Sequence, residues 1–229
     1  MQAVILAAGR GTRMRNLTEH TPKILLEVGG KTLLEHKFDA MPEEVDEVII
    51  VICYLGNQIQ ERFGTFYKNK NITYVTQDEC TGGTADALWK AKPFVRNKFL
   101  VMNGDNIYTK KDVERCVGYE WAALVQKKKE IGSASRVVVD GHMRILDIIE
   151  SSGNSSGSGY AGTGLYILDT RIFDYTLTPK ALGSHELGLP QTMMQAAKDI
   201  PIQAVEATLW IEIKTPADIE KAEELLNTS

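Results

Sequence analysis

Continuous apolar runs alternate with helical periodicities from the first residues of the chain. Residues 3–6, 48–52 and 99–102 are apolar at every position, the pattern of parallel strands covered by helices on both faces. Between them Leu34, Phe38 and Met41 recur at helical spacing, with Thr32 and Glu35 forming a capping box ahead of them. Ile59, Phe63 and Phe66 predict the next helix, and Thr109 with Asp112 predicts an N-cap before Val113 and Val117. Thr215-Pro216-Ala217-Asp218 opens a last helix, predicted to bury Ile219, Ala222, Leu225 and Leu226. Further strands are predicted at 72–76, 121–126, 136–139, 144–149, 160–168, 202–206 and 209–213, with Asp140-Gly141 as a hairpin turn. This alternation predicts an α/β fold with a largely parallel sheet. Residues 151–159 are Ser or Gly apart from Asn154. Because strands of one sheet continue on either side, they read as a mobile loop at the rim of a site rather than a domain linker.

Composition narrows the class. The chain has 229 residues, 43% hydrophobic and 24% charged, with a mean hydropathy of -0.18, which excludes a disordered or membrane-spanning protein. The apolar run at 3–8 is too short for a bilayer and lacks the basic start and cleavage region of a signal peptide. A net charge of -4 argues against nucleic acid as a partner. Cys53, Cys80 and Cys116 are odd in number and far apart, without a CxxC, so reduced thiols, no structural disulfide and a cytoplasmic location are expected.

The first strand runs directly into Ala7-Ala8-Gly9-Arg10-Gly11-Thr12-Arg13-Met14. Glycines at 9 and 11 let backbone N–H groups approach a ligand, and a turn of exposed N–H groups cradles phosphate. A dinucleotide fingerprint needs a glycine where Met14 stands, and no acidic residue ends the second strand to hold a ribose, so an NAD-dependent oxidoreductase is excluded. A Walker loop needs a Gly-Lys-Ser/Thr that is missing. What remains is a phosphate turn carrying arginines, with Thr21-Pro22-Lys23 close behind.

This run, Leu-Ala-Ala-Gly-x-Gly-Thr-Arg-Met followed by Thr-Pro-Lys, resembles the N-terminal signature of the nucleotidylyltransferases that make sugar nucleotides, of which glucose-1-phosphate thymidylyltransferase is typical. The resemblance implies a single nucleotidyltransferase domain over residues 1–229, a three-layer α/β/α Rossmann-like fold with a mixed, mostly parallel central sheet. It implies Mg²⁺-dependent condensation of a nucleoside triphosphate, UTP or dTTP favoured, with a sugar 1-phosphate. By position, Ala7, Ala8, Gly9, Gly11 and Thr12 would wrap the triphosphate. Arg13 would bind the departing pyrophosphate, and Lys23 would neutralise charge at the α-phosphate. Gln77 would read the base edge, with Gly82, Gly83 and Thr84 packing against the base. Asp105 of Asn103-Gly104-Asp105 would hold the metal, at the carboxyl end of a strand where open α/β sheets bind ligands. Glu212 of Trp210-Ile211-Glu212-Ile213-Lys214-Thr215-Pro216 stands where the family has the second metal aspartate; strand alternation sets Trp210 on its face.

The sugar side departs further from the pattern. Glu150 matches the glutamate of the family's Glu-Lys-Pro, which would bind sugar hydroxyls, but Ser151 and Ser152 replace the lysine and proline. That lysine's phosphate contact then falls to another cation, Lys214 or one of Lys127, Lys128 and Lys129, a run that reads as a solvated strand end, or is lost. Tyr160, Gly162, Thr163 and Trp210 would line the sugar pocket, and residues 184–187 resemble a further segment beside it. The departures leave room for a cytidylyltransferase acting on an inositol or choline phosphate, or for a paralogue that binds nucleotide sugars without chemistry. Assembly into a homo-oligomer stays open. No hexapeptide repeat follows, so an attached acetyltransferase is not expected.

Overall fold

The computed structural model describes residues 1–150 and 157–227. Most of the Ser/Gly segment read as a rim loop lies outside the described residues. In chain order the elements are β1 (Gln2–Leu6), β2 (Glu27–Val28), β3 (Lys31–Thr32), α1 (Leu33–Ala40), β4 (Glu47–Ile52), α2 (Gly56–Phe63) and β5 (Phe66–Tyr67). Then come β6 (Lys70–Thr76), α3 (Gly83–Ala91), β7 (Lys98–Asn103), β8 (Asn106–Tyr108), α4 (Lys110–Val117), β9 (Ala122–Lys128) and β10 (Arg136–Val139). The chain closes with β11 (Ile145–Ile149), β12 (Gly159–Asp169), α5 (Leu189–Ala196), β13 (Gln203–Glu206), β14 (Trp210–Glu212) and α6 (Pro216–Asn227).

The main sheet runs β11-β10-β12-β7-β1-β4-β6-β5, and β9 joins the free edge of β12 and carries β13. β7, β1, β4 and β6 are mutually parallel, while β12 returns antiparallel against β7. This is the mixed, mostly parallel sheet that the family resemblance implies. Along β1, Ala3 and Ile5 face α1, α2, α4 and α6, whereas Val4 and Leu6 face α3 and α5. Both faces are thus helix-covered, which is why every position of this strand is apolar. Fully buried side chains such as Ile5, Ile50, Leu100 and Met102 each contribute about 1.5–3 kcal/mol by burial.

The capping signals hold in detail. Glu35 N–H donates to the Thr32 hydroxyl and the Glu35 carboxylate accepts from Thr32 N–H, each end of the box closed. Thr109 caps α4, and Asp112, fully buried, also accepts from Thr208 and Leu209 and so ties α4 to the approach of β14. Other expectations need correcting. Phe66 lies in β5, 60% exposed, because Gly64 at φ 58 ends α2 a turn earlier. In α6 only Ala222 is fully buried, and Leu225 is 47% exposed. Asp140-Gly141 does begin the β10–β11 connection, but the Asp140 N–H donates to Arg144 C=O across a longer loop than a two-residue turn.

The cysteines depart most from expectation. Cys53 and Cys80 form a disulfide, with Cα atoms 5.6 Å apart. β4 and β6 are parallel neighbours in register at Ile52 and Thr76, so the segments that leave them run side by side. Cys116 is buried, with its thiol pushed up to about 12 by burial. Cysteine usage therefore no longer supports a reducing compartment. No helix among the described residues is long and apolar enough to cross a membrane.

Candidate active site

The carboxyl ends of β1 and β7 form the floor of a cleft of about 520 Å³, a size suited to a small-molecule site. Gly104 N–H donates to Leu6 C=O at 3.0 Å, and a Cβ on Gly104 would stand 2.9 Å from that oxygen. Only glycine lets the two strand ends close, which brings Ala7 and Ala8 beside Asp105. The chain then turns through Gly9 and Gly11 into a 3₁₀ segment, Thr12–Thr18, anchored by the fully buried Met14. Met14, the residue that rules out a dinucleotide fingerprint, is therefore a core peg. Ala7, Ala8, Gly9, Gly11, Thr12 and Arg13 all line the cleft. Arg13 is exposed there, with no partner among the described residues. Lys23, at the start of a short 3₁₀ turn behind Pro22, packs its stem against Gly11.

The carboxylates meet through a two-stranded ribbon. β8 pairs antiparallel with β14, setting Glu212 opposite Asn106, and Ile213 N–H donates to the Asp105 carbonyl at 2.9 Å. Lys23 Nζ lies 2.7 Å from Asp105 Oδ2, and Lys214 Nζ lies 2.9 Å from Glu212 Oε1. Burial opposes ionisation of Asp105, but Lys23, then Lys37 and Lys214, outweigh it and hold its carboxyl below the ordinary value. Burial pushes the Glu212 carboxyl up; Lys214 offsets part of this and Asp105 adds its own repulsion. Two hard carboxylates in one cleft suit Mg²⁺, which takes one or two protein carboxylates and leaves its other positions to water and substrate oxygens. Among the described residues no larger His, Cys, Asp and Glu cluster occurs.

One wall is built from the β6–α3 connection. Gln77 is only 2% exposed, and its amide donates to Asp86 Oδ2 at 2.7 Å and to Gly83 C=O, so it is a fixed group rather than a solvated strand end. Gly83, at φ 90, has Leu187 backbone atoms 2.4 and 2.6 Å from where a Cβ would stand. Only a bare backbone fits there. Leu187 N–H donates to Gly82 C=O, and Ala85 N–H donates to Leu187 C=O, so residues 184–187 brace this wall. Gly83, Thr84 and Cys80 line the cleft; Gly82 stands behind them, and the Thr84 hydroxyl accepts from Leu189 N–H at the start of α5.

The opposite wall is only partly as predicted. Glu150, Gly162 and Thr163 line it, although the Thr163 hydroxyl is taken up by Leu124 C=O. Tyr160 does not reach the cleft; it packs against the apolar layer on the α3 and α5 side. Tyr166, on the same face of β12, lines the cleft instead. Trp210 is likewise beneath the site, its indole N–H donating to Asn106 Oδ1 at 2.8 Å. Lys128 is not a solvated end, since it stacks on Trp210 at 4.3 Å. Sequence reading also missed Gln191, whose amide donates to Glu150 Oε1 at 3.2 Å, and Asn103; Gln191 Oε1 and Asn103 Oδ1 are buried acceptors without a partner among the described residues. Nothing in their spacing marks them.

Lys37 was also missed, though its position carried a signal. It follows Leu33 by four residues and precedes Met41 by four, on the core-facing stripe of α1. It is fully buried, 4.6 Å over the Tyr108 ring, with its ammonium lacking any hydrogen bond among the described residues. Burial pushes its pKa down to about 7. Because the folded value lies below the unfolded 10.5, Lys37 costs stability in full below about pH 7, and the cost fades as pH rises toward 10.5. Lys37→Met should therefore raise the unfolding free energy in urea by about 1–3 kcal/mol at neutral pH, with the gain shrinking as pH rises. A variant no more stable than the parent at pH 7 would count against this account.

Fold and cleft together define an α/β nucleotide-handling enzyme of the phosphate-turn type. The family model described as nucleotidyl transferase matches residues 2–228, and the chain belongs to that family. It is 31% identical over 237 residues to the UTP–glucose-1-phosphate uridylyltransferase AglF of Haloferax volcanii, an alignment covering 99% of this chain and 96% of that protein. It is 30% identical over 227 residues to the bifunctional protein GlmU of Methanocaldococcus jannaschii, covering 99% of this chain and 54% of that one. The chain thus spans about half the length of that relative. A Bacillus anthracis chain assigned as a glucose-1-phosphate thymidylyltransferase and crystallised with sucrose superposes with a TM-score of 0.84 at 26% identity, covering 98% of this chain and 94% of that one.

Proposed function

We propose that this chain is a sugar-1-phosphate nucleotidylyltransferase that uses UTP or dTTP and Mg²⁺. The observation that carries the reading is the convergence of the glycine turn, Arg13 and Lys23 with the paired carboxylates Asp105 and Glu212 in one cleft. The names borne by the Haloferax and Bacillus relatives support it. In the reaction an oxygen of the sugar 1-phosphate bonds to the α-phosphorus as the bond to the β-phosphate oxygen breaks, and pyrophosphate leaves. The nucleophile is already an anion at pH 7, so no general base is needed. The obstacle is repulsion between polyanions, about 4 kcal/mol per pair of unit charges at roughly 4 Å near a protein surface. Arg13 and Lys23 offset it on the nucleotide side, and the turn's backbone N–H groups orient the triphosphate. Mg²⁺, held by Asp105 and Glu212, would supply further neutralisation of phosphate charge.

The test is a matrix of nucleoside triphosphates against sugar 1-phosphates, inositol 1-phosphate and choline phosphate, with pyrophosphate as the readout. Release with UTP or dTTP and a hexose 1-phosphate is the expected result. Release only with CTP and an alcohol phosphate would replace the substrate assignment. Tight nucleotide-sugar binding with no release in any combination would make the chain a sensor and end the enzymatic reading.

A further inference from the structure

On this reading two phosphorylated substrates enter this cleft, and the cations of the glycine turn serve only one of them. Across from Arg13 and Lys23 the wall of Glu150, Gly162 and Thr163 carries a negative charge of its own. An acceptor bearing a phosphate dianion therefore needs a cation on its own side. Two lysines line the cleft beyond the turn. Lys180 is at the rim, half exposed and paired with Glu186 at 3.3 Å. Lys214 is deeper, its side chain 19% exposed. Of the remaining lysines read from the sequence, Lys128 is taken up by Trp210, and Lys127 and Lys129 are exposed outside the cleft.

We propose that Lys214 binds the phosphate of the incoming sugar 1-phosphate; this rests on the reading of the cleft given above. The root of its side chain is fixed, because Lys214 N–H donates to Asp218 Oδ2 at 2.9 Å within the cap of α6. Its ammonium spans Glu212 Oε1 at 2.9 Å and Ser133 Oγ at 3.2 Å. Ser133 belongs to the β9–β10 connection that covers the acceptor wall, where Gly162 N–H donates to Ser135 C=O at 2.9 Å. Lys214 thus stands where the carboxylate pair meets that wall. An ammonium has three N–H donors; Glu212 and Ser133 take up two, and no group among the described residues takes the third. A phosphate oxygen there would be fixed beside the carboxylates, which is where the attacking atom has to be.

The experiment compares the full-length parent with Lys214→Met and Lys214→Arg. In Lys214→Met the KM for glucose 1-phosphate should rise about 10–100-fold, the size of a lost charge-assisted hydrogen bond, while the KM for the triphosphate holds and Lys214→Arg recovers most of the loss. Calorimetric titration of glucose 1-phosphate, with an α,β-methylene triphosphate in place, should weaken by the same factor. If both KM values rise together, or neither does, Lys214 serves only to neutralise Glu212 and the proposal falls. Lys214-dependent binding without pyrophosphate release in the parent would keep the proposal and overturn the function. Turnover in the parent with unchanged sugar-phosphate affinity in Lys214→Met would do the reverse. No sugar-phosphate binding by the parent would sink both.

Discussion

Asp105→Asn should reduce pyrophosphate release on the order of 10³-fold while the protein stays folded. Asparagine keeps the shape of the side chain and still accepts from Lys23, now at 2.7 Å, but it removes the charge. Lys23, Lys37 and Lys214 all act on that carboxylate, so its loss leaves a cluster of positive groups with Glu212 as the nearest counter-charge. A carboxamide is also a far weaker ligand for a hard dication than a carboxylate. The fold should tolerate the change because Asp105 is 27% exposed in the cleft and its backbone C=O still accepts from Ile213 N–H. Thermal unfolding and steady-state pyrophosphate release check the two halves. An Asp105→Asn protein with parental, Mg²⁺-dependent turnover would remove this residue from the proposed metal site.

Reducing the Cys53–Cys80 bond should cost about 3.5 kcal/mol, the chain-entropy value for a loop of roughly this length. The two residues are separated by 27 positions. For a protein of this size that corresponds to a fall in Tm of about 7–14 °C. The bond also holds the connection that carries Gln77 and lines the cleft at Cys80, so the KM for the nucleotide should rise on reduction. Scanning calorimetry with and without reductant tests this, using Cys53→Ser/Cys80→Ser as the control whose Tm must ignore the reductant. The buried thiol of Cys116, with its raised pKa, contributes no competing exchange. A parental Tm indifferent to reductant would show that the bond does not constrain the unfolded chain.

What could be read from the residues was the part set by local rules. Strands β1, β4 and β7 were legible because two-sided burial leaves no polar position, and the caps of α1, α4 and α6 because their side chains bond within one turn. The glycine turn and the place of Asp105 were legible for the same reason, each lying within a few residues of a strand end, while the roles given to them came from the family resemblance. Features that depend on register were not. Tyr160 and Trp210 were placed in the cleft by the family resemblance, whereas Tyr160 packs in the layer on the α3 and α5 side and the Trp210 indole is held by Asn106 beneath the site. The cysteine pair depends on β4 and β6 being neighbours, which no spacing along the chain reveals. Glu212 was found through its motif, yet its nearness to Asp105 arises from the β8–β14 ribbon.

The floor of the cleft comes from β1 and β7, which lie inside the sheet with strands bonded on both sides, whereas Glu150 and Gln191 stand near its margin. On the proposed function the chemistry would be anchored where local opening is rarest, and the groups proposed to meet the acceptor's body sit where substitution disturbs least. Such a division lets a lineage exchange one acceptor for another by altering a few peripheral side chains, leaving the bond-making centre as it was.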